Sequence, residues 1–586
     1  MATRPVKDLK SRLLAFIERE REETWSQVRR LYALSPEKRV EEGECIVGLR
    51  LVEEAEDEAV FRVEENLSRF RSGDPLYLGD GNNITSGIKC VFSDYDPVEK
   101  LVRVSFAWSV SAAAENLDKR KEYVLDRRII DNFSQRSRAV EEVFGRGRFA
   151  NAGRVIGLEA KPRRVAEERR ARSLVRGLEL NPSQEEAFVH GYCSSPALIQ
   201  GPPGTGKTWL LAALAGTLME KEGRRVLVCC FTHRAINNAL NKIVALGYSN
   251  VFKVSSPYHV DDLDERVLWA QGWRLLPLEG DGFIVGATPY GAFRMAGEVP
   301  FDVVIFDEAG QLTLDLALMG MCCADRWVFI GDHMQLAPVL VAEYADELVR
   351  RSAFEHLFQG YPSVMLEITY RMNEDLCRFP SECFYGGRLR PSEKARVRKL
   401  PQGKGTAFSD ILDPHTPSVF VEVNHRGMTM RSPEEAKLVA HLVNELVTGY
   451  GIPPEEIAVV TPFRAQAAEI RVQLARLATR KKTRMGGGLV VDTVERIQGQ
   501  EREVVLISFA CSDTRFLRNK LDFFFKPNRL NVSITRARVK RILVGSRHLL
   551  GIRPRDEAAK AMVEVLRRLY RQTPRLDYTE RIKELQ

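Results

Sequence analysis

GPPGTGKT, residues 201 to 208, decides how this chain folds. It follows the apolar run Ala197-Leu198-Ile199 with Gln200 and leads into WLLAALAGTLMEK, so its context is strand, glycine-rich loop, helix. Gly201, Gly204 and Gly206 let the backbone curl where a Cβ would clash. Pro202, Pro203 and Thr205 complete the loop, whose N–H groups point inward beside a helix N-terminus that favours anions. Lys207 is placed to reach β- and γ-phosphates, and Thr208 to hold Mg²⁺. The pattern predicts a nucleoside triphosphate site.

Outward from the loop, β-branched runs alternate with helical patterns, the mark of parallel βαβ architecture. One series comprises ALIQ (197–200), VLVCCF (226–231), GFIVGA (282–287), DVVIFD (302–307) and WVFIGD (327–332). A second comprises SVFVEV (418–423), IAVVTP (457–462), LVVDTV (489–494), VVLISFA (504–510) and RILVGS (541–546). Each series predicts one doubly wound sheet, and the polar stretch 390–410 reads as a loop within or before the second. We expect the units at 178–350 and 351–556, with a helical tail over 557–586.

Upstream, Leu9, Leu13, Phe16, Ile17, Val28, Leu31 and Tyr32 recur at helical spacing, predicting an amphipathic helix within 1–42. From 43 to 130 short alternating runs are separated by turn signals, which predicts a small antiparallel β-barrel. Such a barrel suits a structural role as well as the binding of single strands. Charged helices are expected over 131–177. The fold class is therefore α/β, two parallel-sheet units preceded by helices that carry a barrel.

With 586 residues, the chain exceeds what one hydrophobic core usually supports. Its 44% hydrophobic and 28% charged content describe an ordinary soluble protein, and a net charge of +8 permits a polyanionic partner without requiring one. The ten cysteines lack C-x-x-C spacing, so buried thiols of a reducing compartment are expected, without zinc or an iron–sulfur cluster. No segment has the apolar length of a membrane span. A cytoplasmic monomer is expected, a nuclear location being left open.

VVIFDEAGQ ends a hydrophobic strand on Asp307-Glu308. A carboxylate pair at a strand's carboxyl end can serve a phosphate loop, Asp307 anchoring Mg²⁺ and Glu308 polarising the attacking water. In IGDHMQLAPV, Gln335 is a neutral amide suited to sensing the γ-phosphate by hydrogen bonding.

GPPGTGKT, DEAGQ, GDHMQLAPV, TYRMNEDLCRFPSECFYGGRL (369–389), VVDTVERIQGQEREVVLIS (490–508) and NRLNVSITRAR (528–538) occur in this order. Together they resemble superfamily 1B helicases of the group containing the nonsense-mediated-decay helicase, senataxin and the immunoglobulin-mu-binding helicase. The resemblance covers roughly 400 residues, and LNPSQEEAF (180–188) is similar to the group's adenine-recognition motif.

The resemblance implies two RecA-like domains, ATP with Mg²⁺, and nucleic-acid-stimulated hydrolysis driving movement along single-stranded RNA or DNA. It further implies 5′ to 3′ polarity and action at duplex junctions. It casts Gln184 as reader of the adenine edge, Tyr370 as its stacking partner and Glu501 as a ribose or interdomain contact. Arg371 and Arg536 would approach the γ-phosphate from the second domain. Nucleic-acid contacts would fall on Thr232, Thr288, Thr461, Pro462, Arg464 and Thr493. Thr369, Asn373-Glu374 and Glu495-Arg496-Ile497 depart from the group's usual Gln, His-Pro and Asp-x-Phe. These departures keep open a second class, an ATP-controlled clamp that grips a strand and unwinds little.

Overall fold

The computed structural model describes residues 4–585 except 56, 97–98, 107–116, 146, 279, 405–407, 482–487 and 498. A helix spans Arg4–Tyr32, and a short one, Pro36–Glu41, hands the chain to the barrel. Six antiparallel strands then close on themselves in the order Cys45–Glu54, Glu58–Arg62, Leu101–Phe106, Ile88–Asp96, Pro75–Gly79 and Glu122–Arg127. Closure leaves no open edge, and alternate residues such as Leu49, Phe61, Leu76, Val102 and Leu125 fill the interior. Buried Arg39 fixes the barrel to the short helix: Nε donates to Asp126 Oδ1 at 2.7 Å and Nη2 to the Gly81 carbonyl at 2.8 Å.

The first sheet has eight parallel strands in the order Leu268–Ala270, Val251–Val254, Phe283–Ala287, Arg225–Cys229, Val303–Phe306, Trp327–Gly331, Ala197–Gln200 and Ser363–Met365. Its central strands are buried on both faces, which is why they read as continuous apolar runs. The eighth strand lies beyond residue 350, where the sequence reading ended this unit. Ser363–Met365 pairs with the strand before the phosphate loop, and Val364 sits beside Ile199. Three residues between Pro362 and Leu366 were too short a run to register as a strand.

The second sheet has six parallel strands, ordered Val490–Thr493, Ile457–Thr461, Arg502–Ser508, Ala537–Gly545, Ser418–Glu422 and Arg575–Asp577. The last strand adds a three-residue return to the sheet within the helical tail expected over 557–586. After the helix Glu557–Gln572 the chain returns to the sheet, pairing Leu576 with Val421 and burying Tyr578.

The long N-terminal helix lies against the first unit. Glu20 accepts hydrogen bonds from the Val341 and Ala342 N–H groups and from Tyr344 Oη, and Arg12 pairs with Asp346. The helix Phe133–Val143 packs beside it and sends buried Arg136 to Asp315. Among the described residues no helix is long and apolar enough to cross a membrane, and no group of three His, Cys, Asp or Glu side chains is set to hold a metal ion. The ten cysteines are free thiols, all buried except half-buried Cys383.

Candidate nucleotide cleft and strand groove

The strand Ala197–Gln200 delivers the chain to the carboxyl edge of the first sheet, where Gly201 N–H donates to the Gly331 carbonyl at 2.9 Å. The backbone then turns through Gly204 at φ 72° and Gly206 at φ 80° before the helix Lys207–Glu222 begins. Each glycine is forced by its surroundings. A Cβ on Gly201 would lie 2.1 Å from Lys207 Cγ, and one on Gly204 would lie 2.4 Å from Arg371 Cβ. Lys207 folds back so that Nζ donates to the Gly201 carbonyl at 2.9 Å, 3.8 Å from Glu308 Oε1. Thr205 Oγ1 closes the loop onto the Pro202 carbonyl at 2.8 Å.

Asp307 and Glu308 follow the strand Val303–Phe306. Burial, reinforced by the Glu308 carboxylate, pushes the Asp307 carboxyl well above its ordinary range, with Lys207 opposing. Glu308 sits in the left-handed region at φ 49°, a strained conformation for a side chain with a Cβ, and its Oε2 accepts from Gln311 Nε2 at 3.3 Å. Thr208 lines the same cleft as Glu308, and Asp307 directly precedes Glu308; hydroxyl and carboxylate oxygens are the hard donors that a divalent cation such as Mg²⁺ takes.

The opposite wall belongs to the second unit and to the segment leading into it. A cleft of about 890 Å³ is lined by residues 202–209 with Lys242, Glu308, Gln335, Tyr370, Arg371, Gly499, Glu501 and Arg536. Arg371 Nε donates to Glu501 Oε2 at 2.7 Å and Nη1 to the Thr535 carbonyl at 3.1 Å. Burial works against the Glu501 charge, yet Arg371 and Arg538 hold its carboxyl below the ordinary value. Arg536 is 1% exposed, and its hydrogen-bond partners are neutral oxygens: Gln335 Oε1 at 3.0 Å, the Val532 carbonyl at 2.9 Å and the Gln500 carbonyl at 3.2 Å. Burial, then Arg371, lowers its guanidinium to about 9. A buried cation satisfied by dipoles alone creates a demand for an anion.

Gln335 completes a chain between the units, since its Nε2 donates to Asp332 Oδ2 at 2.8 Å. Asp332 also accepts from Tyr385 Oη at 2.8 Å and from Gln200 Nε2 at 3.3 Å. Asn528 Nδ2 donates to the His333 and Gln335 carbonyls at 2.7 and 2.6 Å, and Asn531 Nδ2 to the Met334 carbonyl at 2.8 Å. Sequence reasoning missed Tyr385, Asn528 and Asn531. The available signal was NRLN, two asparagines at i and i+3 on one helical face.

Tyr370 stands at the rim, 44% exposed, its hydroxyl accepting from Asn181 Nδ2 at 2.8 Å and its N–H donating to the Gly204 carbonyl at 2.8 Å. Gln184 is not on the cleft wall. Its Oε1 accepts from Asn181 N–H and its Nε2 donates to the Thr205 carbonyl, both at 3.0 Å, so the amide caps its own helix and braces the loop. Thr369, in the place of the group's glutamine, donates from Oγ1 to the Pro203 carbonyl at 2.8 Å.

A larger groove, about 1900 Å³, runs between the units beside the cleft. Phe231 and residues 336–339 form one side; Pro462, Arg464, Thr493, Arg496, Phe523, Lys526 and Arg529 form the other. Pro462, Arg464 and Thr493 thus meet in one channel, with Thr232 next to Phe231. Thr232 and Thr288 accept from the Ala235 and Gly291 N–H groups and cap helices, and Thr288 does not line the groove. Thr461 differs from its expected place: it is 1% exposed and faces an inner aromatic pocket, because it ends an interior strand whose side chains are all buried.

Two family models, each described as an AAA domain, match this chain over residues 179–372 and 349–548. Among curated proteins it is 28% identical to the DNA replication ATP-dependent helicase/nuclease dna2 of Schizosaccharomyces pombe, over 60% of this chain and 26% of that one. It is 24% identical to the Regulator of nonsense transcripts 1 homolog of Drosophila melanogaster, over 84% and 43%. To the DNA replication ATP-dependent helicase/nuclease DNA2 of Xenopus laevis it is 30% identical, over 64% and 38%. The match thus spans less than half the length of each of these relatives.

Proposed function

We propose that this chain, whose two AAA-domain matches together span residues 179–548, is a superfamily 1 helicase, an ATP-driven helicase or translocase on single-stranded RNA or DNA. The two parallel sheets are then tandem RecA-like domains, and the N-terminal helices with the barrel are a stalk and its accessory domain. One observation carries the reading: buried Arg536 of the second sheet's unit reaches across to Gln335 of the first, in a cleft that also holds Lys207 and Glu308.

Each residue has a task that its position supports. Lys207 and the loop N–H groups hold the β- and γ-phosphates of ATP, and Tyr370 offers its exposed ring to the base. Thr208 and Asp307 would hold Mg²⁺, which when bound supplies positive charge to the phosphate oxygens. Glu308 orients and polarises the attacking water. Arg371 and Arg536 offset charge that builds on the γ-phosphoryl oxygens, and fingers of this kind accelerate hydrolysis by roughly 10³ to 10⁵-fold.

Because the arginines and the loop lie on opposite walls, nucleotide binding favours closure, and hydrolysis with release removes that preference. Closure moves Arg464 and Thr493 relative to Phe231 along the groove, which turns the cycle into displacement of a strand. ATP turnover measured with matched single-stranded RNA and DNA tests the proposal, alongside unwinding of duplexes with 5′ or 3′ overhangs. We expect turnover to rise steeply with strand and the 5′-tailed duplex to open. Turnover indifferent to either strand would end the motor reading, while strong stimulation without unwinding would leave a clamp.

A further inference from the structure

Two aromatic side chains from different segments mark one end of the nucleotide cleft. Trp209, partly buried in the first turn of the helix Lys207–Glu222, lines the cleft together with Tyr370, which is 44% exposed. Both stand against the glycine loop. A Cβ on Gly206 would lie 3.8 Å from Trp209 Cβ, and Tyr370 N–H donates to the Gly204 carbonyl at 2.8 Å. Asn181 Nδ2 holds the Tyr370 hydroxyl at 2.8 Å, which fixes the ring in place. The Lys242 ammonium lies 5.2 Å from the centroid of the Trp209 ring, and Lys242 also lines the cleft.

The amide expected to read the base is withdrawn from this end. Gln184 is 3% exposed, and both ends of its amide are engaged within the protein: Oε1 accepts from Asn181 N–H, and Nε2 donates to the Thr205 carbonyl. Turning it into the cleft would strip a helix cap and a loop brace together. A buried group left without its partner weakens any binding so gained by about 5- to 150-fold. Lys242 offers donors and no acceptor. Every nucleobase carries acceptors for it, and the 6-amino group that separates adenine from guanine is a donor that Lys242 cannot read.

Resting on the cleft as a triphosphate site, we infer that Trp209 and Tyr370 hold the base by stacking, and that this chain hydrolyses nucleoside triphosphates whatever their base. Stacking is base-tolerant because every base has a π-face. The other contacts, from the loop N–H groups and Lys207 to phosphate, are common to all four nucleotides. GTP, CTP and UTP then drive the same cycle as ATP. A site that hydrogen-bonds a substrate group rejects analogues lacking it by about 10⁴ to 10⁵-fold, whereas apolar contact separates similar ligands by about 10- to 200-fold.

The test measures equilibrium binding and steady-state turnover of the full chain with ATP, GTP, CTP and UTP, each with Mg²⁺ and single strand. We expect the four kcat/KM values to lie within about 100-fold of one another. Trp209→Ala should raise KM for all four by about 5- to 150-fold with kcat little changed. Trp209→Phe should restore most of that loss, a split that a merely structural tryptophan would not give. Gln184→Ala should weaken the loop for every nucleotide alike and leave their ranking as it was. An advantage of ATP over any of the other three beyond about 100-fold would overturn the inference. So would a ranking that collapses in Gln184→Ala, or a Trp209→Ala protein with unaltered KM. A wild-type chain that binds none of the four would overturn it too, and would remove the nucleotide cleft with it.

Discussion

Arg536 Nη2 donates to Gln335 Oε1 at 3.0 Å, joining side chains that belong to different sheets. The guanidinium is thereby aimed at the loop of the other unit while the cleft holds no counter-anion for it among its hydrogen-bond partners. Arg536→Ala is expected to lower kcat for ATP by about 10²-fold or more while changing ATP affinity less than about fivefold. Steady-state turnover paired with equilibrium nucleotide binding checks it, and an unchanged kcat would remove the finger role.

Lys207→Ala should abolish turnover and leave the fold intact, since Nζ contacts only the Gly201 carbonyl and the distant Glu308 carboxylate. Circular dichroism and melting should match the parent. Undiminished hydrolysis would contradict the assignment of the phosphate loop.

Gly204→Ala is the sharper probe of the loop. The new Cβ would meet Arg371 Cβ at 2.4 Å and Thr369 Oγ1 at 2.8 Å, and φ is 72°. Strain of this kind costs about 1–3 kcal/mol, so melting should fall and ATP affinity should fall with it. A variant as stable as the parent would show that the 369–371 segment does not press on the loop.

Asn531→Ala strips the Met334 carbonyl and Tyr385 Oη of a donor in a buried network. We expect a loss of about 1–3 kcal/mol in stability and a weaker response of ATP turnover to single strands. If strand stimulation survives in full, the contact is structural only.

Lys540 supplies a pH test with a definite sign. Burial lowers its ammonium from 10.5 to about 8, and Nζ donates to the Asp413 and Thr416 carbonyls. Between about 8 and 10.5 the unfolded chain keeps a proton that the native chain has released, so stability rises with pH across that window. Below it, the charged lysine penalises the fold. Wild type should therefore gain stability relative to Lys540→Met as pH rises through the window; parallel curves would refute the linkage.

Much of this architecture was readable because the interior strands are buried on both faces. Runs such as VVIF and WVFIG admit one reading once a phosphate loop sits between strand and helix. Edge and short strands were not readable: Leu268–Ala270 is largely exposed, and Ser363–Met365 and Arg575–Asp577 have three residues each. Their identity comes from a long-range partner, which local pattern does not contain. At the site, motif spacing placed Lys207, Glu308, Gln335, Arg371 and Arg536 around one cleft. It did not reveal that Gln184 caps its own helix and braces the Thr205 carbonyl, nor that Thr461 is buried, because a side chain's partners depend on what packs around it.

The eighth strand of the first sheet leads within six residues through Thr369 and Tyr370 to Arg371, and these three bind the Pro203 carbonyl, the Gly204 carbonyl and Glu501 in turn. The covalent bridge between the two lobes is thus an axle passing through the cleft, not a cord slung around it. Cutting the gene at this bridge would not release two working halves. Each fragment would lose one bearing of the same shaft, and mixing them would restore turnover only if the broken ends found their seats on Pro203 and Glu501 again.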